Sequence, residues 1–271
     1  MHSPSDAVAA TPLLVERRAS AHILTLNRPA AMNALDDALV AAIHAALDEA
    51  ESDASCTAVV LTAMGRSFCA GADLKAARAL SGREDAEQAT ASFVRSVAAL
   101  TDRIEGFVRP VVAAVQGMAL AGGLELVLAC DLVVAARSAR FGDAHANYGL
   151  LPGGGGSVRL PRRIGPTRAK YLMYTGEFLP AEVVQSWGLV NLVVDDEQLR
   201  PELHRLLDSL AAKSPLGLQR MKHLVNAGLE LPLAEALALE QRVSAEHGLS
   251  HDRAEGLSAF AQRRPPRFQG R

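Results

Sequence analysis

Two stretches of this sequence put glycine where a ligand could approach main-chain N–H groups. In SFCAGADLK, residues 67 to 75, Gly71 permits a turn that a side chain would obstruct, and leaves the amide of Ala72 free to point into a cleft. In QGMALAGGLELVLACD, residues 116 to 131, Gly122 and Gly123 stand at the N-terminus of a short buried helix. Unpaired amides and the positive end of the helix dipole favour negative charge there. Taken singly, each stretch reads equally well as glycine for close packing of strand and helix; two such amides meeting at one oxygen would form an oxyanion hole. Glu125 follows Gly122 by three residues and interrupts an apolar run. A carboxylate desolvated in that setting gains the raised pKa that suits proton transfer, or else it pairs with an arginine for structural reasons. Further along, FGDAHANYG, residues 141 to 149, sets His145 between a strand-like segment and the glycine-rich LLPGGGGS. An imidazole titrates at about 6.5 and can serve as base or as acid. Asp143, two residues earlier, shares its face if the segment stays extended.

Other chemistries lack their residues. GLLPGGGGS has no Gly-Lys-Ser/Thr ending and does not fit GxGxxG, no GxSxG elbow occurs, and Ser157 reads as structural. Cys56, Cys69 and Cys130 are too few and too scattered for a disulfide framework and contain no CxxC pair, which fits a cytoplasmic setting. A formal net charge of −2 supplies no positive field for a nucleic acid. The most apolar region, 110 to 136, is broken by Gln116, Glu125 and Asp131 and reads as buried core, not as a membrane span.

The elements that must position these residues alternate between strand and helix, which favours an α/β architecture. HILTLNR, 22 to 28, reads as a strand ended by Pro29. A helix follows with Asn33 as N-cap, Asp36 and Asp37 in its first turn, and Leu35, Leu39, Ile43 and Leu47 along one face. TAVVLTA (57 to 63), VVAAVQG (111 to 117) and LVVAAR (132 to 137) are strands, LELVLACD (124 to 131) is a buried helix, and 76 to 105 is a lid-like helical segment broken at Ser81-Gly82. Four helical stretches close the chain, near 201 to 213, 215 to 228, 232 to 247 and 251 to 263. In the third, Leu233, Ala236 and Leu237, and likewise Leu239 and Val243, form an apolar face that must pack on its own domain or on a neighbour.

FCAGADL, then QGMALAGGLELVLACDLVVAA, then FGDAHANYGLLPGGGGSVRLPRRIG, then the alanine-to-Trp-Gly-Leu-Val stretch at 181 to 190 occur in order, and with LNRPAAMNAL and EGLSAFAQRR they span residues 13 to 267. Together they resemble the crotonase superfamily, the enoyl-CoA hydratase/isomerase family. That resemblance implies a spiral of ββα repeats over 13 to 197, preceded by a disordered leader at 1 to 12. A C-terminal helical region at 198 to 271 would build a homotrimer or hexamer. It also implies an acyl-CoA thioester as ligand, with no cofactor beyond the coenzyme A of the substrate itself.

By the same resemblance the backbone amides of Ala72 and Gly122 hold the thioester oxygen, where each preorganised donor lowers the barrier by about 3 kcal/mol, and Glu125 is the first catalytic glutamate. Arg28, Ala70, Asp73 and Lys75 lie along the CoA. Phe260, with the basic tail of Arg263, Arg264 and Arg267, reaches a neighbour's CoA. The chain departs from the family pattern at His145, where hydratases carry a second glutamate four residues before Gly-x-x-Pro-Gly. It departs again at Gly153, where some isomerases carry a carboxylate. The expected activity is enoyl-CoA hydration with His145 as the second catalytic group. Double-bond isomerisation by Glu125 alone, or acyl-CoA binding without chemistry, are the alternatives.

Overall fold

A computed structural model describes residues 11–80 and 82–271; most of the expected leader and Ser81 of the expected helix break lie outside them. Among the described residues, ten strands form two sheets. The larger takes β1 (Leu13–Arg18), β2 (Ala21–Leu26), β3 (Ala58–Ala63), β5 (Val111–Val115), β7 (Leu132–Ala136) and β10 (Leu192–Val194), in that spatial order. The smaller takes β4 (Ser67–Cys69), β6 (Met118–Leu120), β8 (Arg140–Gly142) and β9 (Leu179–Pro180). Only β1 with β2 and β8 with β9 are antiparallel. The helices are α1 (Asp37–Ser52), α2 (Leu74–Leu80), α3 (Ala86–Gly106), α4 (Gly122–Ala129), α5 (Gly156–Ile164), α6 (Pro166–Thr175) and α7 (Ala181–Ser186), then α8 (Leu199–Ala211), α9 (Pro215–Gly228), α10 (Leu233–His247) and α11 (His251–Ala261).

Each turn of the chain lays one long strand in the large sheet, one short strand in the small sheet, and then a helical segment: β3, β4, α2 and α3; β5, β6, α4; β7, β8 and a 3-10 turn. Both faces of the inner strands β2, β3, β5 and β7 are covered, so these strands are apolar on both sides. Val59, Leu61, Ala113 and Val133 enter the main core with α1, α3 and α4, while the alternating Ala58, Val60, Val112 and Val134 meet Leu199, Leu203 and Leu207 of α8. The first of the terminal helices is therefore a layer of the core. Among the described residues no helix is long and apolar enough to cross a membrane.

One local expectation fails. Asn33 is not the cap of α1: Asp36 is, accepting from Leu39 N at 2.8 Å. Asn33 is instead fully buried with a left-handed backbone, and its side chain accepts from Arg28 N and donates to Met64 O and Ser67 O. Residues 29 to 36 are thus a tied loop, and the helix starts three residues later than the asparagine suggests.

Candidate active site

Three loops leave the carboxyl ends of three adjacent parallel strands of the small sheet. β4 leads into Ala70-Gly71-Ala72, β6 into Ala121-Gly122, and β8 into Asp143-Ala144-His145. Residues far apart in sequence meet there because parallel strands bring all their carboxyl ends to one edge, the usual place for a ligand crevice in such sheets.

In the first loop, Leu35 N donates to Gly71 O at 2.7 Å and Asp73 N donates to Leu35 O at 2.9 Å. Leu35 thus spans the residues on either side of Ala72 in a parallel bridge, which turns the Ala72 amide to the opposite side. Gly71 has φ +99°, and a Cβ on it would lie 2.8 Å from Ala121 Cβ, so only glycine lets the two loops approach. In the second loop, Ala121 adopts φ 49°, ψ −118°, a strained corner for a residue with a side chain, and starts α4 with the amide of Gly122. A Cβ placed on Gly122 would lie 3.7 Å from Ala72 N. Among the described residues neither amide donates to a protein acceptor. Two free donors thus lie on touching turns, one of them at a helix N-terminus, where negative charge is favoured.

Glu125, one turn into α4, is 3% exposed. Among the described residues no arginine pairs with it. Its Oε1 accepts from Gly154 N at 2.8 Å and Gly156 N at 2.9 Å, while Oε2 accepts from none of the described residues. The run LLPGGGGS, unassigned in the sequence reading, is therefore the cradle of this carboxylate. Burial raises the Glu125 pKa, opposed by the Gly156 amide, the charge of His145 and the Gly154 amide.

His145 is 9% exposed and its Nδ1 lies 3.1 Å from Asp143 Oδ1. The expected extended segment is absent: Ala144 turns left-handed at φ 60° and His145 opens a 3-10 turn. That turn, and not strand alternation, brings imidazole and carboxylate together. An ionised carboxylate only accepts, so Nδ1 carries the proton and Nε2 is the free nitrogen. Burial pulls the imidazole pKa down, but the hydrogen bond and charge of Asp143, with the charge of Glu125, outweigh it and leave the pKa raised. Gly153 offers no acid, and a Cβ there would meet Val94 Cγ1 at 2.7 Å.

The residues expected along CoA are arranged differently from one another. Arg28 bridges Asp36 at 2.9 Å and Asp73 at 3.0 Å and also donates to Ala34 O, so its charge is spent within the loop that carries Ala72. Asp73 also accepts from the amides of Lys75 and Ala76 at the start of α2. Ala70 N donates to Met32 O at 3.1 Å, and Lys75 is exposed. Phe260 is 86% exposed on α11. Of the tail, Arg264 pairs with Glu255 at 2.6 Å, Arg267 N donates to the same carboxylate, and Arg263 has a left-handed backbone, so the segment folds back on α11. Two contributors have no sequence signal: Thr101 and Arg159, which meet the Gly154 carbonyl from α3 and α5.

The family model for enoyl-CoA hydratase/isomerase matches residues 16–271. The 2,3-dehydroadipyl-CoA hydratase of Escherichia coli is 38% identical over 96% of this chain and 99% of its own length. The crotonyl-CoA hydratase of Syntrophomonas wolfei is 35% identical over 94% of this chain and 97% of its own length. The crystal structure of an enoyl-CoA hydratase from Bacillus anthracis superimposes with a TM-score of 0.91 at 34% identity, covering 96% of this chain and all of that one. Spiral fold, strand-end site and sequence agree: the chain belongs to the enoyl-CoA hydratase/isomerase family of the crotonase superfamily.

Proposed function

We propose that the protein is an enoyl-CoA hydratase, adding water across the double bond of a 2-enoyl-CoA thioester, in which an aspartate-backed histidine replaces the second carboxylate. The observation that carries this reading is the grouping of two unpaired amides, a buried Glu125 with one free oxygen, and a His145 held by Asp143 with Nε2 free. The amides of Ala72 and Gly122 take the thioester oxygen and stabilise the negative charge that develops when a nucleophile adds to the β-carbon. Glu125, as carboxylate, removes a proton from water as the hydroxyl adds. His145, as imidazolium, delivers a proton to the α-carbon, and proton exchange with solvent restores both groups. Asp143 fixes the ring and favours its charged form. Cytoplasmic action on a free acyl-CoA fits this chemistry.

Mass spectrometry on a panel of 2-enoyl- and 3-enoyl-CoA thioesters tests it. The wild type should yield 3-hydroxyacyl products heavier by one water. Glu125→Gln should lose turnover by about 10²-fold or more while still binding acyl-CoA, and His145→Ala should be impaired in hydration. Undiminished turnover in Glu125→Gln refutes the scheme. Conversion between 2-enoyl and 3-enoyl esters without water uptake would instead mark an isomerase using Glu125 alone, and tight binding without turnover a non-catalytic member.

A further inference from the structure

Behind Glu125 lies a set of contacts that the hydration scheme does not use. The Gly154 carbonyl, in the loop whose amides hold Glu125 Oε1, faces Thr101 Oγ1 at 2.9 Å and Arg159 NH1 at 2.9 Å. Thr101 is fully buried on α3 and shares its one proton between Gly154 O and Ala98 O, also at 2.9 Å, while Arg159 NH1 donates to its oxygen at 3.2 Å. The Arg159 side chain is 12% exposed, and its remaining donors go to Glu105 at 2.8 and 3.0 Å and Asp102 at 2.6 Å, both on α3. Its guanidinium runs directly beneath the turn: a Cβ on Gly155 would lie 2.1 Å from NH1.

We infer that Arg159 and Thr101 are positioning residues for Glu125, clamping the Gly154 carbonyl so that the amides of Gly154 and Gly156 stay on Oε1 and Oε2 stays turned to the substrate. This rests on Glu125 being the proton-transfer group. The clamp has a chain of geometry to support it: a two-donor grip on one carbonyl orients the peptide planes on either side, and those planes carry the donors that fix the carboxylate. An ion pair alone would not need to reach that carbonyl. A buried arginine between carboxylates is by itself weak evidence for stability.

The clamp and a purely structural role separate in the pH profile. The Gly156 and Gly154 amides oppose the burial that raises the Glu125 pKa, with His145 and Asp143 as the other charged groups facing it. Loosening the loop should therefore move the acid limb of kcat upward. The full-length protein would be assayed as Arg159→Met, Arg159→Lys and Thr101→Val, beside Glu125→Gln. Arg103→Met would serve as a control that removes another α3 ion pair, to Asp48 and Glu51. Arg159→Met is expected to lose about tenfold or more in kcat, with KM and butyryl-CoA affinity little changed and the acid limb displaced to higher pH. Arg159→Lys should recover part of both, and Thr101→Val, which keeps the fold if Arg159→Met does not, should move them the same way. Arg103→Met should lower stability without either effect. An unmoved acid limb in Arg159→Met and Thr101→Val, with Glu125→Gln inactive, overturns the clamp alone. Normal turnover in Glu125→Gln overturns the reading of Glu125 and the clamp with it.

Discussion

Glu125 and His145 titrate in each other's field, and the direction of each shift fixes the shape of the rate profile. Burial, the leading influence on Glu125, lifts it above its ordinary value of 4.5. His145 ends above its ordinary 6.5 because Asp143 and Glu125 outweigh burial. The proposed hydration needs Glu125 ionised and His145 protonated, so kcat/KM should rise with pH as Glu125 loses its proton and fall again as His145 loses its own. Both limbs lie on the alkaline side of the ordinary values, and both midpoints belong to the coupled pair, not to one residue. His145→Gln should abolish the alkaline limb in the residual activity; a limb that persists would mean that another group titrates there. At this scale the placement of these groups is largely legible in the sequence. Ala72 and Gly122 are announced by glycines beside apolar core, Glu125 by interrupting an apolar run, His145 by its place before the glycine loop. Thr101 and Arg159 were not, because their contacts join positions 58 residues apart and an arginine on a helix carries no local mark of what it grips.

The element that converts sequence into site geometry is the loop at 153 to 156 between the β8 strand end and α5. Gly155 has φ +95°, in the region where a side chain costs about 1–2 kcal/mol. A methyl there would also displace the Arg159 guanidinium from the Gly154 carbonyl. Gly155→Ala should thus destabilise by about 2.5–5 kcal/mol in urea unfolding, the backbone cost plus a lost charged hydrogen bond, and should lower kcat. A change below about 0.5 kcal/mol would be that of an ordinary surface position and would contradict this account. The helices α1 and α10 follow apolar spacing visible in the sequence, α4 a buried apolar run, and α3, α8, α9 and α11 the Gly and Pro that bound them, which is why they lie within a few residues of expectation. Of the three strands that carry the site, only β8 shows, as the strand-like Phe-Gly-Asp; β4 and β6, like it, have three residues each, too short for alternation to show. The misplaced cap of α1 has a similar cause. Asparagine serves equally well as a helix cap or as a side chain that ties a left-handed turn, and at Asn33 the buried carbonyls of Met64 and Ser67 decide for the second.

On the scale of the whole molecule, the C-terminal helices leave more apolar surface than an isolated chain should carry. On α10, Leu239 and Val243 pack inward, but Leu233 and Leu237 do not. Leu249 is 91% and Phe260 86% exposed, and Leu257 lies one turn before Phe260 on the same face of α11. Met221 and Val225 on α9, and Leu229 just past its end, recur every four residues along a groove of about 700 Å³, whose far wall includes Leu128 and Leu132. Exposed apolar side chains gathered on helices in this way point to association surfaces. We propose that further copies of this chain cover them, as the family resemblance led us to expect, in a trimer or a pair of trimers. Light scattering coupled to size exclusion should then give a mass three or six times that of the 28.6-kDa chain. The paired change Leu257→Asp and Phe260→Asp buries two charges in such an interface, at a cost that hydrophobic association cannot offset, and should shift the mass to that of one chain. Neither residue belongs to the core of its own chain, so the variant should keep its helical circular dichroism. A wild type that elutes as a single chain at micromolar concentration would sink the assembly, and would leave Phe260 without a neighbour's CoA to reach.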